Sequence, residues 1–160
     1  MSDEAAHAGP PQPPVAPYLT VDRGVEAMDW YKRGLHATEL SRQLTPDGQK
    51  LVHGALLING GLVLVSDDFA ENDAERSSPA VLGGSTVTIH LVADDVDNLY
   101  NSAVAAGAAA TMPLADMFWG SRYGQLTDPF GHRWSMGTPQ GPVTQADLDK
   151  GTAESFPKHG

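Results

Sequence analysis

The chain runs twice through one order of predicted elements: a strand, a helix and then three strands. The segment Gly34–Thr38 matches Gly107–Thr111, with Gly, Ala and Thr at the same spacing. Similarity at a fixed spacing indicates two copies of one structural unit. We therefore predict an α+β fold built from two tandem βαβββ modules.

Turn residues delimit the strands of the first module. Tyr18–Val21 has the alternating pattern of a half-buried strand, and the helix after it ends at Gly34. Three strands follow, separated by Pro-Asp-Gly at 46–48 and by Asn-Gly-Gly at 59–61. Asp-Gly and Asn-Gly tolerate the positive φ that a tight hairpin turn requires. The first module is therefore predicted to end in a three-stranded meander.

The second module repeats this order after an acidic, turn-rich segment. A strand over 86–93 precedes a helix that begins after Asp94 or Asp95 and ends at Gly107. Aspartate favours a helix N-terminus because its carboxylate accepts hydrogen bonds from the first backbone N–H groups. The segment Asp128–Gly131 has Asp, Pro and Gly where a type I turn prefers them. This turn separates the last two predicted strands.

These boundaries divide the chain into five predicted segments. Both ends are polar and rich in Gly or Pro, a composition that favours an extended, solvated chain, although Thr144 is suited to cap a short helix. The segments are a flexible Pro-rich tail (1–14), the first module (15–66), a linker (67–84), the second module (85–139) and a C-terminal tail (140–160).

Composition excludes several classes of partner. Lys plus Arg number 10 against 20 Asp plus Glu, which gives a net charge of -10, and the basic residues are scattered. Nucleic acid is therefore excluded as a partner. The chain has no Cys, which removes disulfides and thiolate metal sites. Because it has neither a signal-like N-terminus nor an apolar run long enough to cross a membrane, we expect no membrane partner and a cytoplasmic protein.

Five short motifs give the chain a family resemblance. They are Ala-x-x-Trp-Tyr at 27–31, His-Gly-Ala-Leu at 53–56, Ala-Asp-Asp-Val-Asp at 93–97, Phe-Trp-Gly-x-Arg-Tyr-Gly at 118–124 and Asp-Pro-Phe-Gly-His-x-Trp at 128–134. Across nearly all of both modules, the chain resembles the vicinal oxygen chelate superfamily of glyoxalases, bleomycin resistance proteins and extradiol dioxygenases. Its PhnB-like branch is the most similar.

The resemblance implies a fold, an assembly and a kind of chemistry. Members form curved antiparallel or mixed sheets around a cleft, with the helices on the outer face, and they usually assemble as homodimers. Many hold a divalent metal in the cleft through His and Glu ligands, and they rearrange or open a substrate that chelates this metal. Others bind a drug or metabolite without metal. The resemblance therefore implies a homodimer with a small-molecule ligand or substrate.

The positions that resemble the family's metal-ligand positions hold other residue types. In the second module they fall on Thr88 and Ser135, and in the first on Ala16 or Tyr18 and on Val65. None of these is an imidazole or carboxylate, the groups that zinc, nickel, iron and manganese prefer here. No cofactor is therefore expected.

Five residues are predicted to contact a ligand: His53, His90, Trp119, Arg122 and Tyr123. An aromatic ring with a guanidinium binds planar or anionic groups by stacking and by paired hydrogen bonds. Each candidate also has a structural interpretation, such as a core histidine bonded to backbone, Arg122 paired with an acidic loop, or Trp119 at a dimer contact. If a divalent metal is bound, His53 and His90 are the alternative ligands, although no carboxylate completes the set.

Two functions from different classes follow. The first is a binding module that holds a small organic molecule in the cleft without metal. The alternative is a metal-dependent lyase, isomerase or dioxygenase with His53 and His90 as unusual ligands. Metal-free acid or base chemistry by His90 or Tyr123 is a third interpretation. Whether the chain is an enzyme stays open, and binding is the interpretation we favour.

Overall fold

The computed structural model describes residues 12–157, so most of the predicted tail over 1–14 lies outside the described residues. Within this range the chain forms eight strands and four helices. In chain order they are β1 (Tyr18–Val21), α1 (Gly24–Gly34), β2 (Thr38–Leu44), β3 (Leu51–Ile58), β4 (Gly61–Asp67), α2 (Pro79–Leu82), β5 (Thr88–Val92), α3 (Val96–Ala105), β6 (Ala109–Met117), β7 (Ser121–Thr127), β8 (Arg133–Pro139) and α4 (Gln145–Ser155).

The strands form two four-stranded mixed sheets. The strand order is β1-β4-β3-β2 in the first sheet and β5-β8-β7-β6 in the second. In each sheet the first strand lies parallel to the last strand of its module, and the other neighbours are antiparallel. Parallel pairing within a module requires a crossover, which begins with α1 or α3. The prediction of an α+β fold with two βαβββ modules is confirmed.

The helices α1 and α3 join the two modules into one core. Helix α1 packs on the first sheet, α3 packs on the second, and the two helices also contact each other. Trp30 of α1 and Trp134 of β8 are buried, and Trp30 Nε1 donates a hydrogen bond to the Ala106 carbonyl at 2.8 Å. Buried apolar residues from both modules form one continuous cluster. Neither sheet therefore buries its helix-packed face alone.

Asp128 is a buried carboxylate that ties the modules together. Its Oδ2 accepts hydrogen bonds from the Tyr31 hydroxyl at 2.6 Å and from Trp134 Nε1 at 2.9 Å. Its Oδ1 accepts from the backbone N–H groups of Phe130 and His132, at 2.9 and 3.0 Å. Burial, followed by the neighbouring Asp128 charge, raises the pKa of Tyr31 well above its usual value. The predicted turn at Asp128 is thus also an anchor for α1 of the other module.

Further hydrogen bonds cross between the modules, among them one from Asn59 and one to Thr20. The Asn59 side chain, in the turn between β3 and β4, donates to the Val92 carbonyl at the end of β5. His132 Nε2 lies 2.9 Å from the carbonyl oxygen of Thr20 in β1. This histidine therefore satisfies a backbone group.

The predicted linker and the predicted C-terminal tail each contain a helix. The linker carries the single-turn helix α2, which begins at Pro79. The C-terminal segment carries α4, whose N-cap is Thr144, with reciprocal hydrogen bonds to Asp147 in a capping box. Over residues 12–157, no helix is long and apolar enough to span a membrane.

Candidate functional site

Strand alternation divides each sheet into a helix-packed face and an open face. In the second sheet, Leu91, Leu126 and Trp134 point into the core, and the residues that alternate with them point the other way. We call this other side the second open face. Its side chains include Thr88, His90, Val92, Tyr123, Gln125, Arg133 and Ser135.

His90 lies at the centre of the contacts on the second open face. Strand pairing places it beside Ser135, whose hydroxyl oxygen lies 2.8 Å from His90 Nδ1. The imidazole stacks on the Tyr123 ring, with centroids 5.9 Å apart and planes inclined by 26°. Within residues 12–157, His90 Nε2 has no hydrogen-bond partner, and the residue is exposed. This nitrogen is therefore accessible for a further hydrogen bond.

Trp119 extends the stack toward the turn between β6 and β7. Its indole meets the Tyr123 ring edge to face, with centroids 5.6 Å apart, and 38% of the residue is exposed. On the same face, Gln125 Nε2 donates to the Tyr123 hydroxyl at 3.0 Å. His90, Tyr123 and Trp119 form a row of three rings with polar groups beside it. The structure thus brings three of the five predicted ligand contacts together.

The C-terminal segment supports the turn that carries Trp119. The backbone N–H of Gln140 donates to the Gly120 carbonyl at 2.8 Å. Gly151 of α4 is buried against Phe118, and a Cβ at this position would overlap the Phe118 ring. Only glycine lets α4 approach so closely. The position of Trp119 therefore depends on a helix outside the two modules.

Arg122 lies on the opposite face of β7 from Tyr123. Its guanidinium donates two hydrogen bonds to Asp97 of α3, at 2.7 and 2.8 Å, and a third to Asp116 at 3.1 Å. The hydrogen bonds from Arg122 lower the pKa of Asp97, and the same pairing raises the pKa of Arg122. The structure therefore does not bring Arg122 together with the three rings. Arg122 therefore has the structural role considered above, pairing with acidic residues, but its main partner lies on helix α3 and not on a loop.

His53 lies on the equivalent side of the other sheet, which we call the first open face. Its Nδ1 lies 2.9 Å from the Tyr18 hydroxyl, and the two rings are tilted by 56° with centroids 5.7 Å apart. His53 and His90 thus belong to different sheets. Each histidine has a tyrosine as its aromatic neighbour.

The two His–Tyr pairs are related by the repeat. Gly54 in β3 and Gly124 in β7 are the strand glycines against which side chains of the module helices α1 and α3 pack. The residues immediately before them are His53 and Tyr123. These two residues therefore occupy the same place in their modules.

The other members of the pairs are also equivalent. Tyr18 pairs with Leu64, and His90 pairs with Ser135. Leu64 and Ser135 in turn each pair with the residue that follows the module's glycine. Each module thus carries one imidazole and one phenol at the same two positions, in exchanged order. Leu64 makes the first open face apolar where Ser135 gives the second a hydroxyl group.

The donor set of the second open face does not fit a divalent metal. His90 is its one imidazole, and Ser135 stands where the resemblance places a glutamate. The strands β5, β7 and β8 contain no Asp or Glu. In the part of the chain from 12 to 157, no group of three or more His, Cys, Asp or Glu is placed to hold a metal ion. First-row divalent metals need several imidazole or carboxylate ligands.

The sequence alone did not indicate the contacts of Ser135 and Gln125 on the second open face, or the anchoring role of Asp128. Ser135 was noted only as the position of an expected glutamate, and Gln125 was not considered. Alternation along β7 was a usable signal, because it places Gln125 with Tyr123 and separates both from Arg122. The role of Asp128 as an anchor had no local signal, since its partner Tyr31 is 97 residues away.

Comparisons with known proteins place the chain in a family. The family model described as Glyoxalase/Bleomycin resistance protein/Dioxygenase superfamily matches residues 7–136. The uncharacterized protein Rv0887c of Mycobacterium tuberculosis is 44% identical over 140 residues, which are 87% of this chain and 80% of that protein.

Solved structures agree on the fold. TioX from a Micromonospora species is 26% identical, with a TM-score of 0.62, over 78% of this chain and 97% of its own. The PhnB protein from Bacillus cereus has the same TM-score of 0.62 at 16% identity, over 79% of this chain and 99% of its own. Because the family model covers most of the sequence, this chain belongs to the glyoxalase/bleomycin resistance protein/dioxygenase superfamily.

Proposed function

We propose that this chain binds a small, planar organic molecule on the second open face, without a catalytic metal. The observation that carries the proposal is the row of rings formed by His90, Tyr123 and Trp119. Aromatic rings offer a stacking surface, and a few polar groups beside them fix the orientation of a ligand. Gln125 supplies such a group, and the buried Ser135 hydroxyl orients His90 from beneath.

The binding free energy of such a ligand indicates that stacking and hydrogen bonds are both needed. Covering roughly 200 Å² of apolar surface, on ligand and protein together, contributes about 5 kcal/mol. A micromolar complex requires about 8 kcal/mol. Hydrogen bonds to His90 or Gln125 supply the remainder in this proposal. The expected ligand is therefore an aromatic compound with at least one polar substituent.

The three tryptophans allow a direct test by NMR with 2-naphthol, a planar phenol, as the probe. The indole N–H groups of Trp30 and Trp134 are hydrogen-bonded inside the core, whereas Trp119 is partly exposed on the turn. In a ¹⁵N-labelled sample, we expect 2-naphthol to shift the Trp119 indole signal in a saturable way. The signals of Trp30 and Trp134 serve as internal controls and stay in place.

A Trp119→Phe variant assigns the shifting signal and keeps an aromatic ring in the row. Absence of any shift up to millimolar 2-naphthol would contradict the proposal. Equal shifts of all three indole signals would contradict it as well, since they would indicate a change in the core.

Metal content separates binding from the metal-dependent alternative. The purified, untagged protein is analysed by mass spectrometry before and after incubation with Zn, Ni, Mn and Fe(II) and desalting. We expect less than stoichiometric retention, because His53 and His90 lie on different sheets and, among residues 12–157, no group of three or more His, Cys, Asp or Glu is placed to hold a metal ion. One bound metal per chain, lost in His90→Ala, would favour a lyase, isomerase or dioxygenase.

A homodimer is part of the proposal. Support comes from the family and from the exposure of the second open face in a single chain, where Val92 is 58% exposed. A second copy would shield this face from water. Light scattering is expected to give about twice the chain mass of 16.9 kDa. A mass equal to one chain would contradict the assembly and leave the ligand proposal standing.

A further inference from the structure

A separate cavity, which we call the seam cavity, is lined by residues of β1 and β5, the edge strands of the two sheets, and of the segments next to them. Its volume is about 390 Å³, within the range of roughly 300–1,000 Å³ that is typical of small-molecule sites. It does not include His90, Tyr123 or Trp119. Its lining includes Pro17, Leu19, Val87, Ile89, His132 and Arg133.

The walls of this seam cavity are mostly apolar. Leu19 and Ile89 belong to, or pack against, the core cluster, and they form the inner wall. Val87 and Tyr18 are 65% and 51% exposed at the mouth. Neighbouring exposed apolar residues that line a depression are typical of a site that another molecule covers. The inner part of the seam cavity is therefore suited to the apolar part of a ligand.

One cation lies at the seam cavity. Arg133 makes no salt bridge with any carboxylate among residues 12–157, although the chain carries a net charge of -10. Its strand neighbours are Thr88 and Thr127, which are uncharged. By contrast, Arg122 is paired with two aspartates. Arg133 is therefore placed to pair with a charge that the described chain does not supply.

We propose that the seam cavity binds a small amphipathic carboxylate, with an apolar chain or ring against Leu19 and Ile89 and its carboxylate on Arg133. A guanidinium and a carboxylate form paired, charge-assisted hydrogen bonds, and this geometry favours a carboxylate over an uncharged head group. The site shares Arg133 with the second open face but contains none of the three rings, His90, Tyr123 and Trp119. It does not depend on the function proposed for that face.

The test uses octanoate as the probe and 1-octanol as an uncharged analogue of the same length. Isothermal titration calorimetry of the full chain is expected to show saturable binding of octanoate at one site per chain. Binding of 1-octanol is expected to be at least tenfold weaker, the change that loss of one charge-assisted hydrogen bond produces.

Two variants locate the site. Arg133→Gln is expected to reduce octanoate affinity roughly tenfold, to the level of 1-octanol. Val87→Trp fills the mouth of the seam cavity and is expected to abolish binding of both probes. Because Val87 is largely exposed, this variant retains the core, which circular dichroism verifies. Arg122→Gln is the matched control and is expected to leave octanoate binding unchanged.

Three results would overturn the proposal. They are non-saturable binding of octanoate, equal affinity for octanoate and 1-octanol, and unchanged octanoate affinity in Arg133→Gln. A response of the Trp119 signal to 2-naphthol is independent of all three. Failure of the seam proposal and failure of the proposed function are therefore distinguishable.

Discussion

The two open faces share a backbone and differ in chemistry. On the first, Tyr18 and His53 bond to each other, and Leu64 lies where the second face has Ser135. On the second, His90 and Tyr123 stack and bond to separate polar neighbours. In the first module the His and Tyr side chains thus bond to each other, whereas in the second module each bonds to a different polar residue.

This difference shows where the repeat constrains the sequence and where it does not. Both modules keep a glycine beneath the helix, at Gly54 and Gly124, because the helix packs against the strand there. Side chains on the open faces do not pack against a helix, so their residue types can differ between the two modules. Ala55 and Gln125, which directly follow these glycines, differ accordingly. Function is therefore expected to follow the open faces and stability the helix-packed ones.

The largest expected effect concerns the anchor that only the second module supplies. Asp128→Ala leaves four donors without an acceptor inside the core, so we expect a loss of stability on the order of 3–5 kcal/mol. Asp67→Ala in the first module removes an acceptor for two backbone N–H groups, those of Gly24 and Leu51. The loss of stability in Asp67→Ala is expected to be roughly half as large as in Asp128→Ala. Urea unfolding of both variants measures the difference, and equal losses would contradict the account of Asp128.

A smaller effect is expected where the helices meet the sheets. A Cβ at Gly124 would lie 2.9 Å from the Tyr100 ring and 3.1 Å from the Met112 carbonyl, whereas at Gly54 it would meet the flexible end of Met28 at 2.5 Å. Gly124→Ala is therefore expected to cost about 1–3 kcal/mol, and Gly54→Ala less. Thermal unfolding of the two variants compares the modules directly. A greater loss for Gly54→Ala would show that Met28 does not adjust.

The smallest effect concerns the ion pairs that join strands to helices. Hydrogen bonds from Arg42 lower the pKa values of Asp29 and Glu39, and those from Arg122 lower that of Asp97. A carboxyl group whose folded pKa is lowered stabilises the fold above its unfolded pKa of about 4, and this contribution is lost as pH falls through the folded pKa. The melting temperature is therefore expected to fall between about pH 5 and pH 3.

Two arginine variants sharpen this pH dependence. Arg42→Gln is expected to flatten it more than Arg122→Gln does, because Arg42 lowers the pKa of two carboxyl groups in the first module. Both changes are small, since the pairs are partly exposed and screened by solvent. Melting curves at pH 3, 5 and 7 check the order, and identical profiles for both variants and the wild type would contradict it.

Local signals predicted the fold well. The strand Tyr18–Val21 and the helix end at Gly34 agree with the structure, because alternation and glycine stops act over a few residues. The Asp95 cap agrees too, and its side chain accepts a hydrogen bond from the Asn98 N–H. The repeat then fixed the order of the remaining strands.

The site was only partly predictable. Neighbouring residues on a strand point to opposite faces, so Arg122 and Tyr123 do not meet, although the motif that contains both suggests a common site. Contacts between distant segments, such as Tyr31 with Asp128, depend on how α1 crosses to the second module. The exchange of His and Tyr between modules is visible only once the registers are known.

The central claim is that ligand chemistry belongs to the second open face and needs no metal. Calorimetric titration of 2-naphthol into EDTA-treated wild-type protein, Tyr123→Ala and Tyr18→Ala tests it most directly. The account predicts that EDTA leaves wild-type binding unchanged, that Tyr123→Ala weakens it at least tenfold, as loss of a stacking ring and a hydrogen-bonding group should, and that Tyr18→Ala changes it by less than about twofold. Loss of binding after EDTA treatment, or equal weakening in the two variants, would contradict it.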